Sequence, residues 1–123
     1  MTTCLIRMRV SIPGTHCWPD ASGPALILAH EHRHVFYVTV TKTVPHMDRE
    51  SEFFAEQARI YAELHKHGEM VEGLMRFGSQ SCEQLATNIL LGLNDLSWQE
   101  ESFSAYRSVI VSEDGENEAE VQA

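Results

Sequence analysis

The sequence predicts an α+β fold in the order strand, strand, helix, helix, strand, with a short last strand at "AEV". Three observations carry this. Both ends of the chain alternate apolar and polar residues with period two. The middle carries apolar residues at helical spacing. The first two strands are joined by a loop without a crossover helix, so they pair antiparallel. The expected product is an antiparallel sheet packed against two helices, built by the 123 residues as one domain, 1–123.

Leu5 to Ile12 is the first strand, with Ile6, Met8, Val10 and Ile12 on one face and Leu5, Arg7, Arg9 and Ser11 on the other. "PGTHCWPDASGP" then supplies a connecting loop. His30 to Val44 is a long second strand, ended by Pro45. Asp48 is a candidate cap for a helix from Arg49 to about His67, rich in Glu, Ala, Gln and Leu. Phe54, Ala58, Tyr61 and Leu64, with His65, are its expected buried stripe. "HGEM" breaks the pattern. Ser81 and Gln84 form an S-x-x-Q capping box for a second helix, with Leu85, Ala86, Ile89, Leu90 and Leu93 facing inward. "NDLSWQEESFS" reads as a loop, and Tyr106 to Glu113 alternates again. From about residue 114 the chain is an acidic tail expected to fray.

The chain carries 9 Lys and Arg against 18 Asp and Glu, a formal net charge of −9. It has no basic stripe, which argues against a nucleic-acid partner. Arg7 and Arg9 interrupt the N-terminus too early for a signal peptide. No apolar run approaches the ~18 residues a membrane helix needs. Cys4, Cys17 and Cys82 are odd in number and form no C-x-x-C pair, so they read as reduced thiols of a cytoplasmic protein.

"LAHEHRHVFYVTV" places His30, His32 and His34 at every second position. Residues two apart on a strand lie roughly 6.5–7 Å apart at Cα and point the same way. Two such imidazoles can share one metal at about 2.0–2.1 Å. Antiparallel pairing brings His16, just past the first strand, beside the start of the second as a third donor. Three histidines with an open fourth position suit a catalytic zinc rather than a closed structural one. Spacing alone does not choose among the three, and histidine pairs at this spacing also occur solvated or hydrogen-bonded. His46, His65 and His67 are further candidates, although on a helix the last two diverge.

The chain resembles the 6-pyruvoyl-tetrahydropterin synthase family, which includes the 6-carboxy-tetrahydropterin synthases. "HEHRHVFYVTV" is similar to that family's H-G-H-N-Y segment running into a Val-rich strand. "HMDRESEF" resembles the lead into its first long helix, "SCEQLATNIL" its S/T-x-E-N-L-A helix start, and "VIVSEDGENEAEV" its closing V-x-V-x-E-T segment. The resemblance covers nearly the whole chain in the right order. It implies a T-fold, ββααββ, whose sheets join into a barrel in a homo-oligomer, a trimer or hexamer with sites at subunit interfaces. It implies Zn2+ on His16, His30 and His32, with His34 where the family has Tyr. It places Glu113, Ser81, Cys82 and Glu83 against a pterin ring, Glu113 gripping the amino-pyrimidinone edge. The implied activity is that of a lyase acting on a dihydroneopterin-like substrate, its triphosphate included.

The chain departs from that pattern at the groups that move protons. Leu26 stands where the family has a catalytic cysteine. His65 matches the histidine of an Asp-His pair, but Leu64 replaces the aspartate, with Glu63 one step earlier. Losing such a group costs about 10²–10⁴-fold in rate. His34, on the face of His30 and His32, and then Glu31, on the opposite face, are the substitutes nearest the metal; Cys17 and Cys82 are the substitute thiols. The alternative is a non-catalytic zinc- and pterin-binding homologue. A triphosphate would need Arg7, Arg9, Arg33 or Lys66 to offset the negative field.

Overall fold

The computed structural model describes residues 2–45, 48, 49, 51–96 and 105–123. The elements are β1 (Cys4–His16), β2 (His32–Val44), α1 (Phe53–Leu64), β3 (Glu69–Val71), β4 (Leu74–Arg76), α2 (Cys82–Leu96), β5 (Tyr106–Glu113) and β6 (Asn117–Gln122). They form a six-stranded sheet in the order β3-β4-β1-β2-β5-β6. Neighbours run antiparallel except β1 with β4. The ββααββ order is present, with the β3–β4 hairpin added where "HGEM" breaks the helical pattern.

β1 runs four residues past its expected end. Pro13 is tolerated because β4 covers only Gly14 and Thr15, leaving the β1 edge open at the proline. β2 starts two residues late, because Gly23–Ala29 coils into a 3₁₀ helix with Pro in its first turn and His30 as its C-terminal cap. Met8, Val10 and Ile12 of β1 and Phe36, Val38 and Val40 of β2 are buried together, as alternation requires. On β5, Val109 and Val111 join them. Tyr106 does too, because the β2–β5 register shifts between Thr41 and Lys42.

The two helices differ in how far their sequence foretold them. α2 keeps its capping box: the Ser81 N–H donates to Gln84 Oε1 (2.9 Å) and the Gln84 N–H to Ser81 Oγ (3.1 Å). Its five expected apolar residues are all buried. α1 departs from expectation. Its cap is Glu52 rather than Asp48; the Glu52 carboxylate accepts the N–H groups of Phe54 and Ala55. Its buried residues are Glu56, Ile60, Glu63 and Leu64, while Phe54, Ala58, Tyr61 and His65 are exposed. Two of the buried positions are acids with partners, so an apolar count misplaces the inner face. Glu56 accepts from Lys42 Nζ (2.9 Å) and from the Tyr106 hydroxyl (3.0 Å).

The tail expected to fray is a hairpin. Asp114 and Gly115 take φ of 56° and 75°, the Glu116 N–H donates to Glu113 O (3.0 Å), and β6 pairs with β5 through Gln122. Asp-Gly is a favoured pair for such a two-residue turn. No helix among the described residues is long and apolar enough to cross a membrane.

Candidate metal centre

The histidines meet where β1 ends and β2 begins. The register sets His16 opposite His32 and Gly14 opposite His34. Gly14 is required there: a Cβ would lie 2.7 Å from the Met75 carbonyl oxygen and 3.1 Å from the rings of Phe36 and Phe77. One nitrogen from each of His16, His32 and His34 lies within 4.8 Å of the others. Phe36 packs edge-on against the His16 and His34 rings, forming the apolar floor.

Each ring is fixed through its Nδ1. His16 Nδ1 faces the Gln80 carbonyl oxygen (2.9 Å), His32 Nδ1 the His30 carbonyl oxygen (2.9 Å), and His34 Nδ1 the Asp114 carboxylate (2.6 Å). Carbonyls and carboxylates only accept, so Nδ1 carries the proton and Nε2 is left as the donor atom on all three rings. His34 Nε2 is buried without a hydrogen-bond partner. Burial pushes the His16 pKa below the ordinary imidazole value, although the Gln80 carbonyl and Glu113 pull the other way. A neutral imidazole is the ligand form, so the donor set fits a metal ion.

Glu113 lies against the same group. Its Oε1 is 3.0 Å from His16 Nε2 and its Oε2 3.4 Å from His34 Nε2. Cys82 Sγ–H donates to Oε1 (3.4 Å). Burial, with Glu113 beside it, pushes that thiol up to about 12, which favours its protonated form.

Other expected site residues lie differently. His30 is the main correction: it ends the 3₁₀ helix with an exposed ring and enters the site only through its backbone oxygen. His34 takes its place in the group, because the regular strand begins at His32. Glu31 pairs with Arg76 Nε (2.9 Å), whose hydrogen bond holds the Glu31 carboxyl below the usual range. His65 is exposed at the end of α1 with Nδ1 on the Tyr61 carbonyl oxygen (2.7 Å). The acid–histidine pair of that region is Glu63 with His67 (2.7 Å). Ser81 caps α2, and exposed Glu83 borders a cavity of about 380 Å³ with Gln80, Gln84 and Asn88. Leu26 is exposed on the 3₁₀ helix. His46 lies outside the described residues.

Asp114 and Gln80 were not foreseen. Asp114 also accepts the Val35 N–H (2.8 Å), and its bond to His34 holds its carboxyl below the usual range. The Asp-Gly turn was the available signal for Asp114. Gln80 is braced by its amide donating to His67 O and Phe77 O. Nothing local in the sequence marks it.

No family model and no curated protein matches the sequence. Solved structures do. An uncharacterized protein of Wolinella succinogenes superposes with a TM-score of 0.74 at 14% identity, over 99% of each chain. The 6-pyruvoyl tetrahydropterin synthase of Caenorhabditis elegans superposes with a TM-score of 0.63 at 12% identity, over 100% of this chain and 97% of that one. The chain has the T-fold of 6-pyruvoyl tetrahydropterin synthase. The fold explains why the two segments converge: β1 and β2 are adjacent and antiparallel, so the end of β1 with His16 lies beside the start of β2 with His32 and His34. Its sheet ends on β3 and β6, and the β1 edge from Cys4 to Pro13 has no strand neighbour among the described residues.

Proposed function

We propose that the chain binds a divalent metal, zinc, through His16, His32 and His34, and acts there as a lyase-type enzyme on a dihydropterin-like substrate. One observation carries the metal reading: three imidazoles, each held at Nδ1, bring one ring nitrogen apiece within 4.8 Å of the others, and His34 Nε2 is buried without a hydrogen-bond partner. A bound ion would polarise oxygens on a substrate side chain and acidify the neighbouring C–H. Phe36 packs against the His16 and His34 rings on one side, and Glu83, which lines the α2 cavity together with Gln80, is the candidate for the ring edge. The edge strand β6 suits edge-to-edge assembly of copies into a homo-oligomer.

A second reading has its own support. Glu31 is tied to Arg76, His65 sits at a helix end, and Leu26 is apolar. These placements favour a protein that binds metal and pterin without turning the pterin over. One experiment separates the two. Zinc-loaded protein is incubated with 7,8-dihydroneopterin triphosphate and with dihydroneopterin, and products are resolved by chromatography. Turnover that is lost in His32→Ala supports the enzyme. Tight binding of either compound with no product overturns it in favour of the binding protein. No zinc uptake by the wild type overturns both.

A further inference from the structure

The face of the sheet turned away from the core carries a second cluster of polar side chains. Strand pairing sets Arg7 opposite Thr41, Thr41 opposite Ser108, and Ser108 opposite Gln122. One cross-strand row thus holds a guanidinium, two hydroxyls and an amide, and all four residues line a cavity of about 550 Å³. The β2–β5 register shift adds Arg107. Tyr106 pairs with Lys42 and Ser108 with Thr41, so the residue between them has no partner on β2. Tyr106 turns into the core, and Arg107 lines the cavity beside Ser108.

Floor and walls have the chemistry of an anion site. Thr41 and Ser108 are each 6% exposed, yet neither hydroxyl has a hydrogen-bond partner among the described residues. Both are left to whatever fills the cavity. Neither Arg7 nor Arg107 forms an ion pair among the described residues. Their backbones stand roughly 10 Å apart across two strand spacings. Two long side chains can close that span on one tetrahedral oxyanion. Glu120, opposite Ile110 on β6, is the acidic side chain of the lining, and it accepts from Gln122 (3.2 Å) rather than from an arginine.

We propose that this cavity binds an oxyanion of the phosphate class, either free or as the phosphate group of a small metabolite. The guanidiniums supply the charge, Thr41 and Ser108 the short hydroxyl contacts, and Glu120 disfavours an anion that reaches β6. The site is separate from the metal centre and does not depend on it. Arg7 precedes His16 on the same strand by nine residues, roughly 30 Å, and the two point to opposite faces. Arg7 therefore does not serve an anion bound at the histidines.

Isothermal titration with inorganic phosphate and with ribose 5-phosphate tests this, at an ionic strength of about 0.15 M, where exposed charges are screened beyond about 8 Å. At least one of the two should bind the wild type saturably, in zinc-loaded and zinc-stripped protein alike. Tighter binding of the ester assigns a metabolite and tighter binding of inorganic phosphate the free ion; either supports the site. Arg7→Gln and Arg107→Gln should each weaken binding at least about tenfold, the loss of a charge-assisted contact. Glu120→Gln should strengthen it. Absence of saturable binding of both compounds by the wild type overturns the proposal, a measurement independent of how the variants fold. Affinity equal in the wild type and both arginine variants overturns it too. Binding confined to the zinc-loaded form also overturns it, because the anion then sits on the metal, and leaves the metal reading standing. Binding by a protein that takes up no zinc supports this proposal while overturning that reading.

Discussion

His34 is the residue on which the site turns. Its Nδ1 meets Asp114 at 2.6 Å, its Nε2 is buried without a hydrogen-bond partner, and Gly14 beneath it keeps the strand pairing close. Asp114 selects the tautomer and aims the ring, a positioning role. Asp114→Ala should therefore lower zinc affinity about 10–100-fold while the protein stays folded. Isothermal titration checks the affinity, and Asp114→Asn separates charge from hydrogen bonding. Affinity unchanged in Asp114→Ala would show that His34 is aimed by packing alone. The sequence showed His34 on the same face as its neighbours, and Asp114 only as the start of an acidic tail. It did not show that the two meet, because their contact spans 80 positions. The choice between His30 and His34 was equally hidden: it depends on where the 3₁₀ helix stops, and one histidine step moves a ligand from the strand into its lead-in.

At the scale of elements, α1 and α2 meet at Gly92. A Cβ there would stand 2.0 Å from Glu63 Oε2. Glu63 is almost fully buried and holds His67 and Lys66, so its carboxylate has little room to yield. Gly92→Ala should destabilise the protein by about 1–3 kcal/mol despite alanine's better helix propensity, because overpacking outweighs it. Urea unfolding checks this, and a variant as stable as the wild type or more so would overturn the packing argument. α2 was legible because its burial is apolar and its cap is a local hydrogen-bond pattern. α1 was not, because its inner face is set in part by Lys42 and Tyr106, which come from other parts of the chain.

At the scale of the whole molecule, the end of the sheet away from the histidines is held by a buried polar network. Lys42 donates to Glu56 and Ser51, and the Tyr106 hydroxyl joins Glu56 and Arg59. Burial, with the Glu56 charge beside it, pushes Tyr106 up to about 12, as burial also does for Cys82. Both are acids whose folded pKa is raised. The folded state therefore keeps its protons where the unfolded chain has lost them. That stability is whole below about pH 9 and declines as the pH rises through the unfolded values toward 12. Urea midpoints measured across this window should fall, and Tyr106→Phe should flatten the decline above pH 10. A midpoint independent of pH there would contradict the burial of both groups.

The sequence by itself determined the α+β class, the strand faces, the α2 helix with its cap, and a histidine-rich junction between the first two strands. These follow from period, capping and pairing, which act over a few residues or across one loop. The tertiary structure decided the β3–β4 hairpin, the inner face of α1, the pairing of the short last strand with β5, and which histidines converge. Those depend on partners far along the chain: Gln80 for His16, Asp114 for His34, Glu113 for both. No local pattern encodes a contact whose free energy is gained only once the sheet has closed.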